Sequence, residues 1–322
     1  LPVWMLLQPR DYINGLQLFV GLILLYAAIF ISTPDIVAPA INTNLPMSAP
    51  SIVPLLFVTI ACGAISGFHG LVATGTTSKQ IDKEEDTRFV GYFGALGEGM
   101  LALGAILAAT AGFATLGDWQ AVYQNFGDGS IGAFIDGGAT ILSNGVGIDM
   151  VLSQTMLTVM AALFAGTTMD TGVRLQRYIF QEFGEFYNLP ILNKGSVATF
   201  LAVGTCLLLA FGAGGIDGAG GMIIWPLFGT TNQLMAALTL MVVTVILLRK
   251  GKPVWYTLAP LCFLLVMTLL ALLIQLKTFY DEGNWLLIIM DIVILIASVL
   301  VTFESFSVLR REWSTYKGKK TS

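Results

Sequence analysis

The segment 59–77, TIACGAISGFHGLVATGTT, lies inside an apolar run that extends from about residue 50 to about residue 75. A transmembrane helix needs about 20 mostly apolar residues, so this run is long enough to cross a membrane. Its middle is rich in small residues and contains His69, the only histidine of the chain. A titratable side chain is unfavourable in hydrocarbon and usually faces a cavity or another helix. We therefore expect this segment to lie inside a membrane protein rather than against lipid.

The composition of the whole chain supports this interpretation. Of the 322 residues, 56% are hydrophobic and only 11% are charged, whereas a soluble domain has about 25% charged residues. Lipid cannot satisfy open sheet edges, and no stretch shows the alternation of a membrane barrel, so the spans are predicted to be helices. The predicted fold class is all-α, a polytopic transmembrane helix bundle.

Eight apolar stretches are long enough to span a membrane: about 14–32, 51–74, 91–113, 150–169, 197–214, 229–248, 254–276 and 285–303. The Lys and Arg residues should favour alternate connections if this count is right. Of the 16 Lys and Arg residues, only Lys277 falls on the poorly charged side. This pattern predicts that both ends of the chain are cytoplasmic, with a basic cytoplasmic tail at 305–322. The tail is interpreted as a topogenic anchor on the anionic leaflet and not as a nucleic-acid patch.

The connection 114–149 is expected to be an extracytoplasmic loop, because turn-forming Gly, Asp and Asn residues interrupt its apolar positions. A re-entrant or gating segment is the alternative.

Two segments contain residues that suit a substrate site. Gly63 and Gly67 form a G-x-x-x-G pattern, which indicates either close helix packing or a discontinuous helix whose unwound backbone lines a site. His69 favours the second interpretation. A Gly-rich, Pro-containing stretch before residue 229 makes a second interrupted element. The predicted substrate-binding residues are Gly63, Ser66, Gly67, His69, Gly229, Thr230, Asn232 and Gln233. The amides of Asn232 and Gln233 could equally bridge helices, as amides inside membrane helices often do. Anions are expected to meet helix N-termini and backbone N–H groups there.

Other polar residues suggest proton coupling or gating. Glu98 lies about seven residues inside its span, roughly 10 Å deep, where it could carry a proton or make a structural hydrogen bond. His69 is the other candidate for proton coupling. Asp170 could pair with Arg174 one helical turn away, or form an inner gate or coupling-ion site with Thr167 and Thr168. Asp291, in the last span, is expected to face another span.

Several classes of protein are excluded or disfavoured. A single histidine and three scattered cysteines give no multi-His metal site or disulfide framework, and no Walker sequence indicates an ATP-driven motor. Ser66 and His69 could touch, but no third orienting group or oxyanion hole accompanies them, so an intramembrane hydrolase is disfavoured. We predict that the protein is not an enzyme.

The blocks TIACGAISGFHGLVATGTTSKQI, GYFGALGEGMLAL, FAGTTMDTGVRLQRYIFQE and WPLFGTTNQLMAAL occur in this order. They resemble the carbon starvation protein A (CstA) family, and the resemblance extends to about residue 252. It implies an inner-membrane transporter related to the inverted-repeat amino acid–polyamine–organocation superfamily. Uptake of peptides, or in some members of pyruvate, driven by protons, is the implied activity. Family members carry further helices before this part, so the chain is expected to be the C-terminal portion of a longer protein that needs them.

The prediction is therefore a single transmembrane transporter domain over 1–322, a secondary active transporter that serves the carbon starvation response. A peptide or pyruvate-like substrate and the lipid bilayer are the expected partners, and the oligomeric state is left open. A proton or another coupling cation is expected, with no other cofactor. The alternative function is a nutrient-binding sensor or channel-like protein without coupled transport.

Overall fold

The computed structural model describes residues 3–43, 45, 49, 51–124, 130–216, 218 and 220–321, with the backbone alone at 3, 4, 6, 7, 61, 62, 213, 214 and 314–321. All the regular secondary structure in these residues is helical. The α-helices are α1 (Val3–Ser32), α2 (Phe57–Ala64), α3 (Gly67–Gly75), α4 (Asp86–Ala111), α5 (Leu116–Val122), α6 (Ser130–Val146), α7 (Met150–Phe186), α8 (Gly195–Gly214), α9 (Gly220–Arg249), α10 (Trp255–Asp281) and α11 (Trp285–Thr321).

Seven of these helices are long and apolar enough to cross a membrane, namely α1, α4, α7, α8, α9, α10 and α11. They correspond to seven of the eight predicted spans and confirm a polytopic helical membrane protein. The eighth predicted span, 51–74, differs because it is divided into α2 and α3, of 8 and 9 residues. A short turn over Ile52–Leu56 precedes α2, and its Val53 has extended dihedrals of φ −114° and ψ 126°.

The helices group into two compact units, and the chain passes from one to the other at three points, the last of them inside α7. The first unit comprises Leu1–Ala49 and Ile81–Val173, and the second comprises Pro50–Gln80 and Arg174–Ser322. In the first unit, the core contains side chains of α1, α6 and α7, which are Leu25, Ala28, Ile141, Leu142 and Leu157.

Helix α6 corrects the expectation that 114–149 is a turn-rich loop. A Cβ at Gly137 would overlap the backbone of Ala108, and a Cβ at Gly145 would overlap the backbone of Ala28. Small residues therefore let α6 lie against the C-terminal ends of both α4 and α1. Residues 125–129 of the predicted loop lie outside the described residues. An extracytoplasmic position and the re-entrant alternative both stay predictions.

Helix α5 begins with a capping box, in which Thr115 and Asp118 satisfy each other's backbone N–H groups. Its Trp119 Nε1 donates a hydrogen bond to the carbonyl of Ala109 at 3.2 Å. This bond ties α5 back to the end of α4. Partial burial raises the pKa of Tyr123, which follows α5.

In the second unit, α9 packs against α2, α3, α8, α10 and α11. Its central residues are almost fully buried, including the polar side chains of Thr230, Asn232 and Gln233. A helix surrounded in this way must satisfy its polar groups within the protein. The position of α9 therefore decides which of the predicted site residues can meet.

The predicted tail begins as a continuation of α11 rather than as a separate segment. Ser305 is buried, and Arg249 Nη2 lies 2.6 Å from Glu312 Oε1, which ties α9 to this part of α11. Residue 322 lies outside the described residues. The cytoplasmic location of the tail stays a prediction.

Candidate functional site

The candidate site is the interruption between α2 and α3. Helix α2 ends at Ala64, and Ser66 has the extended backbone dihedrals φ −96° and ψ 127° before α3 starts at Gly67. A Cβ at Gly67 would overlap Met235 Cβ and backbone atoms of α9, whereas a Cβ at Gly63 would meet nothing within 4 Å. The G-x-x-x-G pattern therefore reflects both a discontinuous helix and close helix packing. The helix is discontinuous, and only Gly67 is a close-packing glycine.

A buried amide joins this interruption to α9. The Asn232 side chain is fully buried, and its Oδ1 accepts hydrogen bonds from Phe68 N at 2.8 Å and from Ser66 Oγ at 3.2 Å. The Ser66 hydroxyl in turn accepts a bond from His69 N at 3.4 Å. The first N–H groups of a helix lack intrahelical partners. Ser66 and Asn232 supply two of these partners, so the cap of α3 depends partly on a residue 164 positions away.

This arrangement brings together two segments that the sequence predicted to form one site. It also shows that the N–H groups of Phe68 and His69 are already bonded and so are not open to an anion in this structure. An anion at this N-terminus would have to compete with the Asn232 amide oxygen. The His69 side chain is exposed, with its ring centroid 5.9 Å from that of Phe68. Its imidazole is therefore the accessible polar group beside the interruption.

The expectation of a second interrupted element before residue 229 is wrong, because α9 is a continuous helix from Gly220 to Arg249 with Pro226 inside it. The other predicted residues of α9 are inside the unit. A Cβ at Gly229 would lie 3.4 Å from Val58 Cγ1 of α2. The Thr230 hydroxyl donates to the carbonyl of Leu227 at 3.0 Å, and Gln233 is fully buried. These residues pack the interior close to the interruption. Their contact with a substrate stays a prediction.

Glu98 lies on α4 in the first unit and is exposed. A Cβ at Gly91, Gly94, Gly97 or Gly99 would meet nothing within 4 Å. Within the part of the chain that the structure describes, no hydrogen bond to the Glu98 carboxylate is present. The structure therefore does not support a structural hydrogen bond at Glu98. Its role in proton coupling stays a prediction.

The predicted gate residues on α7 contact α1. Asp170 Oδ2 forms an ion pair with Arg10 Nη2 at 3.5 Å, and Asn14 Nδ2 donates to Thr167 Oγ1 at 3.3 Å. The Thr168 hydroxyl is exposed and donates to the carbonyl of Phe164 at 3.0 Å. The three residues are thus neighbours on α7. Asp170 and Thr167 bond to side chains of α1, whereas Thr168 bonds to the backbone of its own helix. The pair of Asp170 with Arg174 stays a prediction.

Sequence reasoning missed Arg10 and Asn14 as partners of this cluster, because Arg10 was used only as a topological charge. A signal was present, since the two residues are one helical turn apart and so share a face of α1. Thr167 and Asp170, three residues apart, likewise share a face of α7.

The chain is similar to proteins of one known family. Residues 1–127 and 114–271 match the profile of the family described as Carbon starvation protein CstA. The protein named "Peptide transporter CstA" from Campylobacter jejuni is 33% identical over 88% of this chain and 48% of its own length. The Escherichia coli protein of the same name is 30% identical over 84% of this chain and 47% of its length.

A further relative, named "Pyruvate/proton symporter BtsT", comes from Escherichia coli and is 30% identical over 84% of this chain and 48% of its own length. The chain spans about half the length of these curated relatives. No solved structure matches the chain significantly. On the strength of the family match, which covers most of its residues, the chain belongs to the carbon starvation protein CstA family.

Proposed function

We propose that this chain forms part of a secondary active transporter that takes up peptides or a small carboxylate such as pyruvate, driven by protons. The relatives are named as a peptide transporter and as a pyruvate/proton symporter. The described part of the chain contributes seven helices that can cross a membrane and an eighth, divided segment. The proposed transport role also supports the prediction that the protein is not an enzyme.

The observation that carries the proposal is the interruption between α2 and α3, held against α9 by Asn232. Non-helical backbone at membrane depth is tolerated only where it is buried in protein or lines a cavity. Secondary transporters use such discontinuous helices at their substrate sites. The site would comprise Ser66 and His69 at the interruption, with the 229–233 segment behind them.

Roles for the remaining residues follow from their chemistry. Glu98 or His69 would carry the coupling proton, because these are titratable groups within predicted spans. The Arg10–Asp170 pair would form an inner gate that opens when the ion pair separates. The protein would lie in the inner membrane with both ends of this chain cytoplasmic, act in the carbon starvation response, and use no cofactor beyond the coupling cation.

The parts of the longer family proteins that this chain does not span would complete the pathway. The relatives are about twice the length of this chain, and the exposed glycine face of α4 around Glu98 is a surface that further helices could cover. The relation to the inverted-repeat amino acid–polyamine–organocation architecture belongs to the same proposal.

Uptake of labelled pyruvate and of a labelled dipeptide into proteoliposomes, with and without an inward proton gradient, tests the proposal. We expect gradient-dependent uptake of one of the two substrates. His69→Ala and Glu98→Gln identify the coupling residue, because the variant that loses it should still bind substrate without responding to the gradient. Binding without any uptake would favour a sensor, and uptake that ignores the gradient would favour a channel-like protein.

A further inference from the structure

A row of buried polar side chains lies along the hairpin of α10 and α11 in the second unit. The two helices are joined around Gly283, and Gln275 and Asp291 each lie eight residues from it. At a rise of 1.5 Å per residue, both lie about 12 Å from the turn and therefore at the same level of the hairpin. Asp291 is fully buried, and Gln275 is 6% exposed.

The hydrogen bonds at this level are incomplete in a specific way. Gln275 Nε2 donates to the carbonyl of Pro226 on α9 at 2.9 Å, which fixes the orientation of the amide. Gln275 Oε1 and both carboxyl oxygens of Asp291 are buried and have no hydrogen-bond partner among the described residues. Buried polar atoms almost always have a partner. Three acceptor oxygens on facing helices therefore lack a donor.

The charged groups around Asp291 do not provide that donor. Helix α11 packs against α9 and α10. The charged residues of these two helices are Arg249, at the end of α9 and bonded to Glu312, and the exposed Lys277 and Asp281 of α10. The remaining titratable side chains of α10 are exposed, namely Tyr256, Cys262 and Tyr280. On α11 itself, Glu304 is exposed and more than three turns away.

An ionised Asp291 would thus be a buried charge without a counter-ion, at the same level of the hairpin as an amide oxygen that also lacks a donor. One proton removes both problems, because the neutral carboxyl group can donate its O–H to Gln275 Oε1. We propose that Asp291 and Gln275 form a buried proton-binding pair. The proton resides on the Asp291 carboxyl, and the Gln275 amide oxygen accepts the hydrogen bond.

A metal ion suits these three oxygens less well than a proton does. Oxygen-bound cations such as Ca²⁺ and Mg²⁺ take about six or more ligands, whereas the described residues place three acceptor oxygens without a donor at this level. The next buried hydroxyls without partners are Thr268 Oγ1 and Ser298 Oγ. Each is seven residues along its helix, about 10 Å away, so neither can complete the shell. A proton needs one acceptor, and Gln275 provides it.

The proposal of proton binding rests on the burial and the missing hydrogen bonds of these two residues in the second unit. Its use in coupling would deepen the proposed function and rests on it. In that case Asp291 would be a third candidate for the coupling group, beside His69 and Glu98.

Infrared spectroscopy of the protein in lipid nanodiscs tests the inference, because a protonated carboxyl group has a C=O stretch that is separate from the bands of amides and ionised carboxylates. The unmodified protein at neutral pH should show such a band, and it should shift in D₂O. The band should be lost in Asp291→Asn and kept in the matched control Asp281→Asn. In Gln275→Leu it should remain at a changed frequency, because the acceptor is gone.

The absence of a protonated-carboxyl band from the unmodified protein would overturn the inference even if Asp291→Asn fails to fold. A band that survives Asp291→Asn would overturn it as well. So would a stabilisation by Na⁺ that only the Asp291→Asn variant lacks, since that result would assign the oxygens to a metal ion. Uptake that ignores the proton gradient would overturn the proposed function but leave the band in place, so the two failures can be told apart.

Discussion

The close approach of α3 to α9 predicts opposite effects for two alanine substitutions in one short segment. Gly67→Ala places a methyl group where Met235 Cβ and backbone atoms of Asn232 and Ala236 already lie. Gly63→Ala, four residues earlier, places it in open space. The first change should destabilise the second unit, and the second should not.

The magnitude follows from the contacts. Two of the overlapping neighbours of Gly67 are backbone atoms, so α3 must move away from α9 by about 1 Å, and overpacking of this kind costs roughly 1–3 kcal/mol. The movement also lengthens the bonds from Phe68 N and Ser66 Oγ to Asn232, each worth about 1 kcal/mol. We therefore expect Gly67→Ala to lower the free energy of unfolding by about 2–4 kcal/mol. Gly63→Ala should raise it by up to about 1 kcal/mol, because alanine is the better helix former.

Reversible unfolding of the protein in mixed micelles, titrated with a denaturing detergent, measures both values under one condition. The apparent melting temperature should give the same order, with Gly67→Ala below the unmodified protein and Gly63→Ala at or above it. Equal stability of the two variants would refute the close contact at Gly67, and with it the position of the interruption against α9.

Three further substitutions test other contacts. Asn232→Ala removes the acceptor of two hydrogen bonds and should lower the free energy of unfolding by about 1–3 kcal/mol; an unchanged value in the same titration would contradict the cap. Gly145→Ala should destabilise the first unit by about 1–3 kcal/mol, because the methyl group meets the backbone of α1. Gly132→Ala, on the same helix in open space, is its control, and equal melting temperatures would argue against this packing. Arg10→Gln should change the free energy of unfolding by less than about 1 kcal/mol, because the Arg10–Asp170 pair is about one-third exposed; a larger loss would mean that the pair is structural rather than a gate.

The spans were predictable from the sequence because apolar length is a direct physical requirement of the bilayer. The division of the second span was also open to prediction, since glycine and serine residues cluster where the helix stops. The register of α3 against α9 was not predictable. It depends on a bond between Asn232 and Phe68 N, and no local pattern links residues that are 164 positions apart.

Helix α6 was missed for a different reason. Its sequence, SIGAFIDGGATILSNGV, contains several glycines, which weaken helix propensity and suggest turns. In the structure those glycines serve tertiary packing, because Gly137 and Gly145 allow contact with the backbones of α4 and α1. Tertiary contact therefore overrides local preference in this segment. The Arg10–Asp170 pair was missed because its partners lie on different helices, although the spacing on each helix was visible.

If the interruption beside His69 forms part of a substrate site, bound substrate should protect position 69 from chemical labelling. A His69→Cys variant, with Cys62, Cys206 and Cys262 replaced by alanine, is reacted with a soluble thiol reagent in proteoliposomes. The rate is measured with and without pyruvate or a dipeptide, and Gly132→Cys in the same background serves as the control. We predict that the transported substrate slows labelling at position 69 and leaves position 132 unaffected. Equal labelling rates at position 69 with and without substrate, in a variant that still transports, would contradict a substrate site at the interruption.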